Sequence, residues 1–254
     1  MNAIKREIKK IFNVLGYDLV KRNPPVASRH QFPHDFEPSY SKIISHVSDK
    51  TMTSPERLYG LLMATKYVSQ SKLDGAIVEC GTWKGGSMMA TALMLRQLGD
   101  VKRDIYLFDT YEGMSPPTEK DRSFLDVSAE DYIADDMEVY IAPIEEVRSN
   151  LESTNYPKEK LHFIKGKVED TIPEHAPEKI ALLRLDTDWY ESTKHELEHL
   201  FCRLVYGGVL IIDDYGFWKG CKQATDEFFN KRNIQILLNR IDETGRLGIK
   251  VNPC

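Results

Sequence analysis

Residues 180–216 read IALLRLDTDWYESTKHELEHLFCRLVYGGVLIIDDYG, and this stretch decides the fold. It holds two apolar runs, 180–185 and 209–212, and each ends in acid: Asp186-Thr187-Asp188 after the first, Asp213-Asp214 after the second. Between them, residues 191–204 carry Leu197, Leu200, Phe201 and Leu204 at helical spacing, and Gly207-Gly208 closes the segment. Strand, helix, strand at this spacing is a parallel βαβ unit whose strands lie side by side. Both acidic clusters then sit at the carboxyl edge of one sheet, where open α/β folds bind ligands. Carboxylates that converge there repel one another unless a cation or a proton joins them. A hard divalent ion such as Mg²⁺ is the simplest resolution.

Upstream, residues 75–87 (GAIVECGTWKGGS) predict a short strand, a glycine-rich turn and a helix over 88–98. Glycines in such a turn let backbone N–H groups approach a ligand at a helix N-terminus. The pattern is not GxGxxG, because Trp83 stands in the second glycine's place, so a tight strand-to-helix turn explains it equally well. The next strand, 104–109, ends in Asp109, an acid placed to accept hydrogen bonds from ribose hydroxyls. Two features then agree on a nucleoside. Residues 110–126 are polar and Pro-rich, a loop long enough to be a mobile cover. A third strand over 160–165 leads into Lys167-Val168-Glu169-Asp170-Thr171 at the same edge. Thr53-Ser54-Pro55-Glu56 starts a helix that runs to about Ser71, 144–151 and 222–229 are helices, and 234–238 with 247–251 close the chain as a hairpin. These add up to seven strands.

The composition fits this architecture. A chain of 254 residues suits one α/β domain with additions. Its net charge of −5 argues against nucleic acid as a main partner. Cys80, Cys202, Cys221 and Cys254 are scattered without metal-binding spacing, which predicts reduced thiols in a cytoplasmic protein. No apolar run reaches the ~20 residues of a membrane span. Residues 4–20 place Ile4, Ile8, Ile11, Phe12, Leu15 and Leu19 on one face beside Lys5, Arg6, Lys9 and Lys10. Such a helix suits an acidic membrane surface, but amphipathic helices more often pack on their own domain or on a second subunit. Residues 1–50 therefore form a helix-and-linker extension, and 51–254 the main domain. Acids at 130–138, among them Asp135 and Asp136, read as a solvated face.

Taken together, VECGTWKGGSMM, YLFDTYEGM, KGKVEDTIP, ALLRLDTDWYEST and GGVLIIDDYG, with MTSPERLY before them and LLNRID–TGRLGIK after, resemble the macrocin O-methyltransferase (TylF-type) family from about Thr51 to Val251. The resemblance implies a class I methyltransferase (Rossmann-like) fold: a seven-stranded, mostly parallel sheet with helices on both faces and an N-terminal helical extension. It implies a homo-oligomer, and S-adenosylmethionine and Mg²⁺ as cofactors for methylating a sugar hydroxyl. By the same resemblance, Glu79, Gly81, Thr82, Gly85 and Ser87 hold the amino-acid end of S-adenosylmethionine. Asp109 takes the ribose, Val168 and Glu169 flank the adenine, and Thr110 and Gly113 also bind the cofactor. Asp186, which also borders the cofactor, joins Asp213 and Asp214 as metal ligands, and Asp188 is the proposed base, a role Asp186 can exchange with it. The chemistry of methyl transfer agrees. Methyl transfer from a sulfonium is an in-line displacement, and a sugar hydroxyl needs an ion to stabilise its alkoxide and a carboxylate to take its proton. The triple aspartate edge predicts an acceptor with vicinal hydroxyls.

Asp186-Thr187-Asp188 is also a literal DxD, so a metal-dependent glycosyltransferase is the competing reading; a non-catalytic scaffold would have no reason to keep the like charges. Trp189, Tyr190, Tyr215, Phe217 and Trp218 suit stacking on sugar faces or ordinary core packing. His195 and His199 lie mid-helix and read as packing or surface residues.

Overall fold

The computed structural model describes residues 32–133 and 137–251. The amphipathic segment 4–20, the acids Asp135 and Asp136, and Cys254 lie outside the described residues.

Seven strands form one sheet: β1 (Ala76–Cys80), β2 (Ile105–Asp109), β3 (Leu161–Lys165), β4 (Ile180–Leu185), β5 (Leu204–Ile212), β6 (Asn239–Arg240) and β7 (Arg246–Ile249). Their order is β3-β2-β1-β4-β5-β7-β6. The first five run parallel, whereas β7 is antiparallel to β5 and to β6. The chain works outward from β1 to β3 and then crosses back to β4, so the direction of winding reverses between β1 and β4. That reversal opens a crevice at the carboxyl edge. β1 and β4 are buried along their whole length, as strands covered on both faces must be.

The helices are α1 (Pro38–Val47), α2 (Pro55–Gln70), α3 (Gly86–Leu98), α4 (Ala129–Ile133), α5 (Ile144–Ser153), α6 (Val168–Thr171), α7 (Tyr190–Leu200) and α8 (Lys219–Lys231). Strand alternation divides their partners. Val78, Cys80, Leu183, Leu185, Leu210 and Ile212 pack into one core with Leu197, Leu200, Phe228 and Phe229 of α7 and α8. The alternate residues Glu79 and Arg184, which are register partners in the ladder, point to the opposite face, on which α2 packs. Two charged side chains thus end up opposite each other inside the molecule. Ser54 caps α2 by accepting the Arg57 N–H at 3.1 Å, and Pro55 fits the first turn. The cap starts α2 at the carboxyl edge of the sheet and brings Thr53 and Arg57 there.

Several predicted boundaries move. The helix of the central unit stops at Leu200, and β5 already begins at Leu204 and runs through Gly207-Gly208. The glycines do not close the helix; they absorb a mismatch in the sheet. Between the pairs Ile180↔Leu204 and Leu182↔Val209, β4 advances two residues while β5 advances five. Gly207 takes φ +79°, and a Cβ on Gly208 would meet Val205 O at 2.9 Å. The predicted strand over 234–238 is absent, because Ile234, Ile236 and Leu238 turn onto the core before the ladder starts at Asn239. The compact body begins at Phe36, so α1, which packs on α3, belongs with it; the Gly86 N–H donates to Lys50 O at 2.9 Å. Cys80 and Cys221 are free and buried. Cys202 is disulfide-bonded, against the expectation of reduced thiols throughout. Spacing in sequence carried no information on which thiols the fold brings together.

Candidate active site

A cavity of about 370 Å³ opens at the carboxyl edge over the β1–β4 crevice, within the roughly 300–1,000 Å³ usual for small-molecule sites. Gly81, Thr82, Ser87, Asp109, Thr110, Gly113, Val168, Glu169, Asp186, Asp188, Asp213 and Asp214 all line it. Glu79 and Gly85, from the same turn, do not.

The reason is local. Gly85 takes φ +82° to start α3 and packs toward Val147 and Leu151 of α5. Glu79 points into the buried layer under the cavity floor, where its Oε1 accepts from Arg184 Nη1 at 2.7 Å. Burial pushes its carboxyl up to about 7 even against that guanidinium. Gly81 is required by contact: it takes φ +78°, and a Cβ there would stand 2.1 Å from Asp186 O. Gly81→Ala is therefore expected to cost at least about 2 kcal/mol, read by urea denaturation, and a variant as stable as the parent would contradict this packing. Trp83, in the place where a dinucleotide turn has its second glycine, adopts φ +44° and donates its indole N–H to Val139 O at 2.8 Å.

Asp109 braces this turn. Its Oδ2 accepts the backbone N–H of Thr82 at 2.6 Å and of Trp83 at 3.2 Å, while Oδ1 accepts that of Tyr111 at 2.7 Å. Oδ2 is thereby filled, and Oδ1 keeps a lone pair for a ligand hydroxyl.

The acidic centre is more elaborate than its aspartates suggest. One oxygen each from Asp186, Asp213 and Asp214 lies within 4.8 Å of the others, and Asp214 Oδ2 is buried with no hydrogen-bond partner. Hard oxygen donors with one orphaned lone-pair set suit a divalent cation such as Mg²⁺. Beneath them the wholly buried Arg184 donates from Nη1 to Asp186 at 2.6 Å and from Nη2 to Asp213 at 2.6 Å and to Thr53 at 2.8 Å. Arg57 adds a second guanidinium on Asp213. Asp188, at φ +69°, accepts the Trp218 indole N–H on Oδ1 at 2.8 Å. Burial and the neighbouring acids hold Asp186, Asp188 and Asp214 well above the ordinary aspartate range.

Beneath the Asp186-Thr187-Asp188 turn, the buried Glu196 of α7 accepts the Thr187 hydroxyl at 2.8 Å. MTSPERLY stood out in the sequence as a motif. Nothing local marked Arg57, Arg184 or Glu196 as parts of the site.

An aromatic wall completes the cavity. Trp189, Phe217 and Trp218 line it together with Tyr132, whose ring stands edge-on to Phe217 and Trp218, each at 5.4 Å. Tyr190 and Tyr215 lie outside the lining. The segment expected as a mobile cover is anchored at several points. The buried Asp121 accepts the Thr118 N–H at 2.7 Å and the Tyr190 N–H at 2.8 Å, Ser115 O accepts the Trp189 indole N–H at 2.8 Å, and Ser123 pairs with Trp218. His195 and His199 are not in the lining; the ring of His195 sits 2.9 Å from Ile172 O and against His199.

This strand order, with a lined crevice at the winding reversal, defines a class I methyltransferase. The chain belongs to the macrocin O-methyltransferase (TylF) family, whose model matches residues 33–247, and it is an S-adenosylmethionine-dependent O-methyltransferase. It is 34% identical over 195 residues, 77% of this chain and 73% of the relative, to the 8-demethyl-8-(2,3-dimethoxy-alpha-L-rhamnosyl)-tetracenomycin-C 4'-O-methyltransferase of Streptomyces olivaceus. The mycinamicin III 3''-O-methyltransferase of Micromonospora griseorubida is 27% identical over 197 residues, with 77% and 76% covered. Among solved structures, the O-methyltransferase NovP superposes with a TM-score of 0.72 at 30% identity, covering 80% of this chain and 83% of that one. The calicheamicin methyltransferase CalS11 shares the fold, with a TM-score of 0.60 at 19% identity over 86% and 95% of the two chains.

Proposed function

We propose that the protein transfers the methyl group of S-adenosylmethionine to a hydroxyl of a sugar on a glycoside, in a Mg²⁺-dependent reaction on a vicinal diol. The observation that carries this reading is the set of three aspartate oxygens within 4.8 Å at the edge of a cavity lined by the glycine turn and Asp109. Relatives whose names specify 4'- and 3''-O-methylation of glycosides support the acceptor class. Gly81, Thr82 and Ser87 would face the amino-acid end of the cofactor, Asp109, Thr110 and Gly113 its ribose, and Val168 and Glu169 its adenine.

Asp186, Asp213 and Asp214 would hold Mg²⁺. When bound, Mg²⁺ stabilises negative charge developing on an acceptor oxygen. Asp188 would take the hydroxyl proton on Oδ2, the oxygen left over after Trp218 engages Oδ1. A carbon–oxygen bond then forms as the sulfur–carbon bond breaks, and S-adenosylhomocysteine leaves. Lifting Asp188 above the usual carboxylate range makes it a better proton acceptor near neutral pH. The pinned 110–126 wall and the aromatic side chains would exclude water and orient the sugar. With the family an O-methyltransferase family, the DxD of a glycosyltransferase no longer needs to explain Asp186-Thr187-Asp188.

Calorimetric titration of S-adenosylhomocysteine, followed by turnover of a rhamnoside and of its deoxy analogue lacking the neighbouring hydroxyl, tests the reading. Micromolar cofactor binding and at least about a hundredfold preference for the diol are expected. Equal rates on the two acceptors would remove the diol requirement.

A further inference from the structure

The three carboxylates at the sheet edge are unequally engaged. Asp214 Oδ2 has no partner. Asp186 gives Oδ2 to Arg184. Asp213 has both oxygens taken, Oδ1 by Arg184 Nη2 and Oδ2 by Arg57 Nη1. A divalent cation drawing on Asp213 Oδ2 therefore meets a guanidinium already in place.

The two arginines differ in what they can do about it. Arg184 is wholly buried, and its two Nη atoms serve Glu79, Thr53, Asp186 and Asp213. If it moved, Glu79 would be left as an uncompensated buried charge. Arg57 enters from the first turn of α2 and lines the cavity. Its Nε already stands 3.0 Å from Oδ2 of Asp242, a residue in the turn between β6 and β7. Asp242 is itself fixed in place: it accepts the Ser54 hydroxyl at 2.6 Å and the backbone N–H of Gly245 at 2.7 Å. Arg57 thus has a second carboxylate within reach of the same guanidinium.

We propose that Arg57 is a tethered counterion of the aspartate cluster, neutralising Asp213 when no divalent cation is bound and withdrawing onto Asp242 when one is. This rests on the magnesium reading above. A guanidinium and a divalent cation drawn to one carboxylate oxygen repel each other, and across about 4 Å that repulsion exceeds thermal energy even in water. Exchange between two anchored carboxylates spares the cluster from ever facing itself uncompensated. It also makes the ion's affinity depend on Asp242, a residue that does not contact the cluster oxygens.

The test is calorimetric titration of MgCl₂, and of MnCl₂ as a tighter-binding probe, into the full-length protein without cofactor or acceptor. Wild type, Arg57→Met and Asp242→Asn would be compared. Arg57→Met is expected to bind the ion roughly tenfold more tightly, since a competing charge is gone. Asp242→Asn should bind several-fold more weakly, because Arg57 has lost its alternative partner. In ion-free buffer Arg57→Met should melt below wild type and recover as ion is added. Unchanged affinity in Arg57→Met with a native circular dichroism spectrum would overturn the proposal. If that variant fails to fold, unchanged affinity in Asp242→Asn overturns it instead. Absence of ion binding to wild type as well would overturn the magnesium reading, and this inference with it.

Discussion

Asp188→Asn is expected to lower the rate of methyl transfer by roughly 10²–10⁴, the contribution of a positioned general base, and at the same time to make the protein more stable at pH 7. Both effects follow from one environment. Asparagine keeps the oxygen that accepts from Trp218 Nε1, so the left-handed turn and its aromatic neighbour stay in place. What disappears is a carboxylate that burial and the neighbouring Asp186 hold above its ordinary range. The sign is set by linkage. A carboxyl with a raised pKa in the folded protein favours folding only while it is protonated, and it loses that contribution as pH rises through the folded value. At pH 7 the unfolded chain ionises this group freely while the native state resists ionising it, and the amide removes that penalty. The gain should shrink as pH falls toward the ordinary aspartate range, where both states are protonated. Turnover with saturating acceptor and thermal melts at pH 7 and pH 5 check the two halves, with S-adenosylhomocysteine binding as the control for an intact site. Full turnover in the variant would remove Asp188 from the chemistry. Exchange of activity for stability is the usual signature of a site built from unfavourable contacts.

Arg184→Met is expected to have the largest structural effect, a loss of about 3–5 kcal/mol in urea or guanidinium unfolding. The methionine fills much of the same volume, so the cost is electrostatic. It leaves Glu79 and Asp213 buried, and Asp186 beside them, with their shared cation gone. A domain of ordinary stability, about 5–15 kcal/mol, would survive only narrowly. The pH dependence distinguishes this cause from lost packing. Glu79 already stands at about 7 with Arg184 present, so without it the carboxyl rises further. Protonation then stabilises the folded variant more than the parent, and the deficit should narrow as pH is lowered from 7 toward 5. Glu79→Gln added to Arg184→Met should restore part of the loss for the same reason. A deficit that does not change with pH, or one below about 1 kcal/mol, would show that the buried arginine is not the counterion described here.

The two residues illustrate what could be read without coordinates. Asp188 was visible because an apolar run that stops in acid is a local pattern. Strand periodicity then placed it, with Asp186, Asp213 and Asp214, at one edge of a parallel sheet. The glycine turn and Asp109 were legible for the same reason, being strand ends in sequence order. The mismatch between β4 and β5 was not. Gly207-Gly208 after a helix is a normal stop signal, and only pairing with β4 shows that it serves a bulge. The loop over 110–126 read as long and polar enough for a mobile cover, and its anchoring by Asp121 on Tyr190, 69 residues away, was not visible.

The first five strands along the chain, the βαβ unit and the acidic edge were thus determined by the chain itself, because hydrophobic periodicity and abrupt polar endings act over a few residues. Tertiary structure alone decided how the charges are compensated. Arg184 meets Glu79 across a strand ladder at a separation of 105 residues, and Arg57 meets Asp213 at 156. Ion pairing depends on distance in space, and burial sets its strength. Neither quantity is a property of any short stretch of sequence.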